Sequence, residues 1–197
     1  MNNISNKLVS IFIKNDIIDE KDKEIYIYGL SQGIIMIFNI ITVIIIGMIL
    51  NMLFLSILFI ATYIPIRVYA GGFHCRTQAK CYIFSVIMQI TVLLLCKVHF
   101  LNETISILTI SITGSIIGLL LSPVEDINKK LDEIEIKIYK KKARTNIIII
   151  QFLTLLTLKY NEYSLIMALA IGCNGLMLIL GKVYNIIYNK RLIQSKQ

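Results

Sequence analysis

The 197-residue chain is 56% hydrophobic and 16% charged, with two prolines and no tryptophan, a composition that excludes a disordered chain and an ordinary soluble domain. Its formal net charge is +8. The basic residues collect between apolar runs, so they point to anionic lipid and membrane topology rather than to nucleic acid. From the N-terminus, Ile4, Leu8, Ile11 and Phe12 recur at helical spacing, which predicts an amphipathic helix over Asn3 to Lys14 lying on the inner leaflet. It is not a signal peptide, because Leu8 to Ile13 is too short an apolar region and sits between Lys7 and Lys14.

No Asp, Glu, Lys or Arg occurs from Ile25 to Ile66, an interval of 42 residues. As a single helix it would run about 63 Å, twice a hydrocarbon core of about 30 Å. Two spans are therefore expected, near 33–50 and 52–66, with a turn near Asn51. Further apolar runs predict spans near 81–98, 104–121 and 164–181, if Lys97 and Lys182 reach back to the interface. The run 145–158 is short, and the charge distribution decides for it. With six spans and the N-terminus inside, 18 of the 20 Lys and Arg residues face the cytoplasm, and only Lys97 and Lys159 face out. Without that span the basic C-terminal tail would face outward, against the positive-inside tendency. The expected architecture is thus all-α and polytopic: six transmembrane helices plus the N-terminal interfacial helix, with both termini cytoplasmic. No repeat, low-complexity tract or linker divides the chain, so 1–197 reads as a single domain.

The long loop from Ser122 to Asn146 is ambiguous. Ile127, Leu131, Ile134 and Ile138 keep a helical period, while Ile134, Ile136 and Ile138 alternate with charges as a strand would. An interfacial helix is the preferred reading. Of the four cysteines, Cys96 and Cys173 fall within or at the end of apolar runs and read as inert packing residues. Cys75 and Cys81 lie in a segment that the topology places in the cytoplasm, where disulfides are disfavoured and an exposed thiol is more often reactive or metal-binding.

That segment, AGGFHCRTQAKC from Ala70 to Cys81, contains the parts of a thiol nucleophile. His74 can take a proton, and Arg67, Arg76 and Lys80 supply positive potential. If the next helix is capped by Thr77, Cys81 lies in its first turns, where the helix N-terminus favours a thiolate. Continuous helix would separate His74 and Cys81 by about 10.5 Å along the axis, too far for proton transfer. The chain must turn back, and Gly71 and Gly72 are the residues that permit it. Cys75 is the poorer partner, since adjacent residues do not face one another. A zinc site on His74, Cys75 and Cys81 matches no common ligand spacing and lacks a fourth ligand nearby. No metal and no cofactor is expected. His99, at the far end of its span, reads as an interface residue.

The run Arg67, Ala70, Gly71, Gly72, Phe73, His74 and Cys81 resembles the R-x-x-A-G-G-aromatic-H motif, followed seven residues later by Cys, of the AgrB family. These are membrane cysteine endopeptidases that process the AgrD propeptide in Gram-positive quorum sensing. Ser122 to Lys129 is similar to that family's P-V-[DE]-x-x-N-K loop. The chain departs from the pattern at Cys75, where the family often has Ala, and at Lys130, where it often has Pro. The resemblance implies that His74 and Cys81 are the catalytic pair, that the partner is an AgrD-like propeptide, and that the protein is a homodimer. Arg67, Gly71, Gly72, Gln78, Pro123, Glu125 and Asp126 are the candidates for support or substrate binding. Glu125, Asp126 and Gln78 are candidates to orient His74, and Pro123 for setting the exit of the fourth span. The rival expectation is a non-enzymatic membrane peptide exporter or sensor subunit, against which stands the absence of a central ionisable residue in the expected spans.

Overall fold

The computed structural model describes residues 2–73, 75, 77–98, 101, 103–125 and 131–194. Among these it forms seven α-helices, one 3-10 turn at Glu20–Asp22 and no strand. The helices are α1 (Asn2–Lys14), α2 (Lys23–Ile49), α3 (Leu53–Ala70), α4 (Gln78–Leu95), α5 (Thr104–Leu121), α6 (Glu133–Leu156) and α7 (Asn161–Gln194).

The N-terminal helix is present with nearly its expected bounds, and its small residues meet the protein. Ser5 and Val9 are fully buried while Ile11 is 52% exposed, and the Ser31 hydroxyl of α2 donates to Ser5 Oγ at 2.9 Å. Small side chains let the two helices approach closely, and Ile11 of the apolar stripe is left pointing outward.

Among the described residues, four helical stretches are long and apolar enough to cross a membrane: Glu20–Ile49, Leu53–Ala70, Thr104–Leu121 and Asn161–Tyr188. The apolar part of α4, Ala79–Leu95, is shorter. The break between α2 and α3 falls where the charge-free interval required it. Asn51 takes φ 55°, a left-handed conformation that Asn tolerates because its short side chain bonds locally, and Met52 N–H closes the turn onto the Gly47 carbonyl at 2.8 Å.

The segment 133–156 differs from expectation. The charged stretch and the short apolar run are not an interfacial helix followed by a separate span but one continuous 24-residue helix, α6. The alternating isoleucines 134, 136 and 138 are helical, not strand-like. A capping box starts the helix: Asp132 accepts the Glu135 N–H at 2.6 Å, and Glu135 accepts the Asp132 N–H at 3.2 Å. Two otherwise orphaned donors are thereby satisfied, and nothing in the following sequence breaks the helix before Leu156.

The core is built around α7, in which every residue from Ser164 to Ile171 is buried. It meets α5 at backbone distance, since a Cβ added to Gly114 would stand 2.9 Å from Gly172 Cα. Side-chain amides bind the other contacts. Asn174 Nδ2 donates to the Tyr63 carbonyl of α3 at 3.3 Å, and Asn146 Nδ2 of α6 donates to the Pro65 carbonyl at 2.6 Å. Gln151 accepts from Ser115 of α5 at 2.8 Å and donates to Ser111 at 3.3 Å. In lipid, where apolar burial alone does not drive helices together, close packing and such bonds hold them.

Candidate active site

At one end of the bundle the C-terminus of α3, the N-terminus of α4, the exit of α5 and the middle of α7 converge. Helix α3 cannot continue past Ala70, because Gly71 and Gly72 adopt φ of 70° and 112°, conformations that L side chains rarely take. The turn they make is held on three sides. Gly71 forms a parallel bridge with Val124, in which Gly72 N–H donates to the Val124 carbonyl at 3.1 Å and Val124 N–H to the Ala70 carbonyl at 2.9 Å. Phe73 N–H donates to the Met177 carbonyl of α7 at 2.8 Å. Arg67, one turn back on α3, forks its guanidinium onto the Gly71 and Phe73 carbonyls.

Each glycine is also required by space. A Cβ on Gly71 would stand 2.2 Å from the Val124 carbonyl oxygen, and one on Gly72 would stand 2.8 Å from that of Met177. Gly181 permits the approach from the α7 side, its Cβ position lying 2.6 Å from Phe73 N. The Phe73 ring then makes edge contacts with Tyr184 of α7 at 5.5 Å and with Phe84 of α4 at 6.3 Å between centroids.

Beyond the turn, Thr77 caps α4 as expected. Its hydroxyl accepts the Lys80 N–H at 3.4 Å and its carbonyl accepts the Cys81 N–H at 3.1 Å. Cys81 thus sits in the second half of the first turn, and the N–H groups of Gln78 and Ala79 are the ones helix geometry leaves without an intrahelical acceptor. The Cys81 side chain is half-buried and lines a cavity of about 340 Å³ between α2, α3 and α4. The lining is mostly apolar, with Val43, Phe59 and Met88 among its residues, and also includes Arg67, Phe73 and Cys75. Deeper in, Gln89 Nε2 donates to Ser56 Oγ at 3.0 Å and Ser56 donates to the Val43 carbonyl at 2.8 Å, tying the three helices together.

Cys75 is also half-buried. Partial burial pushes its thiol above the usual thiol range, the neighbouring Cys81 pushes it further, and Lys80 opposes both. A thiol held protonated is the weaker nucleophile.

Of the expected support residues, Arg67, Gly71 and Gly72 build the turn. Gln78 is the first residue of α4. Pro123 follows a cis peptide bond between α5 and the bridge. Glu125 enters through its backbone, its carbonyl accepting from Asn185 Nδ2 of α7 at 2.8 Å. His74 and Asp126 lie outside the described residues, as do His99, Lys129 and Lys130 and the side chain of Gln78. Among the described residues, no group of three His, Cys, Asp or Glu side chains is placed to hold a metal ion. Met177 and Gly181 were not singled out by sequence, and Val124 entered only as part of the loop motif, because a backbone-to-backbone contact leaves no signature in residue type.

A family model described as Accessory gene regulator B matches residues 5–179. The chain is 31% identical over 145 residues to an AgrB-like protein of Clostridium perfringens (strain SM101 / Type A), a match covering 70% of this chain and 65% of that protein. It is 30% identical over 149 residues to AgrB-like protein 2 of Clostridium perfringens (strain 13 / Type A), covering 72% of this chain and 67% of the relative. The chain thus spans about two thirds of the length of the curated relatives it matches. No solved structure matches it.

Proposed function

Because this chain belongs to the AgrB family of multi-pass membrane proteins, we propose that it is a membrane cysteine endopeptidase that processes an AgrD-like quorum-sensing propeptide, with Cys81 as nucleophile and His74 as base. The observation that carries this reading is the position of Cys81: half-buried in the first turn of α4, on one cavity with Arg67, which clamps the Gly71–Gly72 turn, and with Phe73, which precedes His74 in sequence.

In this reaction His74 takes the Cys81 proton, and the thiolate attacks the scissile carbonyl of the propeptide. Donors at the start of α4, the N–H groups of Gln78 and Ala79, are suited to receive the developing oxyanion. Collapse of the tetrahedral intermediate breaks the C–N bond. The leaving amine accepts the proton from His74, and a thioester joins the N-terminal fragment to Cys81. An internal Cys or Ser of that fragment then attacks the thioester, closes a thiolactone or lactone ring and regenerates the thiol. The apolar cavity wall disfavours water as a competing acceptor. Six spans, both termini and the site on the cytoplasmic face, and a homodimeric state belong to the same reading. The span count is supported by the asymmetry of basic residues.

Coexpression with a candidate propeptide tests it. Cleavage and a substrate–enzyme thioester should be lost in Cys81→Ala and in His74→Ala and kept in Cys75→Ala. Normal processing by Cys81→Ala would overturn the assignment.

A further inference from the structure

Two thiols line the cavity, and the reaction above uses one. Cys75 and Cys81 are both half-buried and both among its lining residues, and they are near enough for Cys81 to act electrostatically on Cys75. They come from opposite sides of the Thr77 cap, Cys75 from the non-helical segment that leaves the clamped turn and Cys81 from the first turn of α4. Helical Cα–Cβ bonds tilt toward the helix N-terminus, so the Cys81 side chain leans back toward the segment that holds Cys75. The remaining cysteines lie elsewhere. Cys96 is at the far end of α4, where it lines a separate recess with Asn51 and Glu162, and Cys173 packs against the core.

We propose that Cys75 is the resolving thiol of Cys81, so that mild oxidation locks the pair as a reversible Cys75–Cys81 disulfide. The oxidant is a peroxide. The Cys81 thiol is oxidised by two electrons to a sulfenic acid while the peroxide O–O bond breaks and hydrogen peroxide is reduced to water. The Cys75 sulfur then attacks the sulfenic sulfur, the S–O bond breaks, and its oxygen leaves as a second water with the Cys75 proton. A dithiol returns both cysteines to thiols and is itself oxidised to a cyclic disulfide.

The arrangement suits the role. The upward push on Cys75 keeps it protonated and spares it from peroxide until its partner has reacted. A nucleophile kept ready for acyl transfer is exposed to irreversible oxidation, and a neighbouring thiol intercepts the sulfenic acid before that step. The switching role rests on the proposed function, but bond formation is read without any substrate.

The full-length protein in lipid nanodiscs is treated with hydrogen peroxide, its free thiols are alkylated, and it is digested with trypsin. Cleavage after Arg76 and Lys80 puts the two cysteines on different peptides, the second running from Cys81 to Lys97 and also holding Cys96, so the disulfide appears as a linked pair lighter by two hydrogens whose fragment ions place the bond at Cys81 and the alkyl group at Cys96. The expected result is that pair, reversed by dithiothreitol, with processing activity lost and regained in parallel. In Cys75→Ser, Cys81 should progress to the sulfinic acid, gaining two oxygens, about tenfold faster than in the wild type, with no recovery. Equal rates of sulfinic acid formation in the two proteins, or a Cys81 paired instead with Cys96 or Cys173, would overturn the proposal. If the pair forms while Cys81→Ala still processes propeptide, the disulfide stands and the endopeptidase assignment falls.

Discussion

Helices α7 and α2 are both long and apolar, yet α7 buries 72% of its most hydrophobic stretch inside the protein and α2 only 12%. The difference divides the molecule. Around α7, with α3, α5 and α6, helices meet at glycine and are bridged by Asn146, Gln151 and Asn174. On the α2 and α4 side the helices are joined by Thr42 with Tyr82 at 2.6 Å and by the Gln89–Ser56–Val43 relay, and the cavity lies there. The candidate site lies on the seam. Its turn is fastened to the closed half through Met177 and Val124, while its thiol rides on a helix of the open half. Packing can therefore be broken on one side of the seam and chemistry on the other.

The largest effect is expected deep in the closed half. Gly114→Leu forces a side chain into the Gly172 backbone, and overpacking of that kind should prevent recovery of folded monodisperse protein by size-exclusion chromatography. Gly71→Ala, which combines positive φ with a clash on the Val124 carbonyl, should cost about 3 kcal/mol or more and be seen as a lowered midpoint in thermal unfolding. On the open half the balance reverses: Cys81→Ala should abolish processing while shifting stability by no more than about 0.5 kcal/mol. A large unfolding shift there would blur the division. Arg67→Lys sits on the seam and should touch both properties. A single ammonium cannot span the Gly71 and Phe73 carbonyls as the guanidinium fork does, so a loss of about 1.5–3 kcal/mol should accompany reduced processing. Gln89→Met, within the open half, should cost only about 0.6 kcal/mol, since Ser56 keeps its bond to the Val43 carbonyl. The subtlest change concerns Cys75. Removing Cys81 removes one of the two influences that raise its thiol, so in Cys81→Ala the Cys75 thiol should titrate lower. More thiolate at a given pH then means faster alkylation by iodoacetamide, measurable by peptide mass spectrometry across a pH series.

Much of this was legible from residue type alone where the constraint is local. A 42-residue charge-free interval must turn, and Asn51 is the residue in it that accepts left-handed φ. Thr77 is a cap by chemistry, and paired glycines before a histidine announce a turn. The helical period of the charged segment was legible, but its continuity with the apolar run after it, as one helix α6, escaped because hydropathy alone divides the two. The capping pair Asp132 and Glu135 was the available signal. Arg67 was read as a source of positive potential, whereas its fork grips two carbonyls that come together only after the chain has turned. The docking of Phe73 on Met177 joins residues about a hundred positions apart, and no local pattern encodes it.

The bridge between Gly71 and Val124 has a consequence for how this protein tolerates change. Both its hydrogen bonds run between main chains, so the two ends of the tie carry unequal sequence demands. At position 124 another aliphatic side chain leaves the main-chain partners where they are. At position 71 any side chain meets the opposing carbonyl. Variation can thus accumulate on the loop after α5 while the turn before His74 stays fixed, and a change that moves the loop's backbone will be felt at the turn as epistasis across fifty residues of sequence.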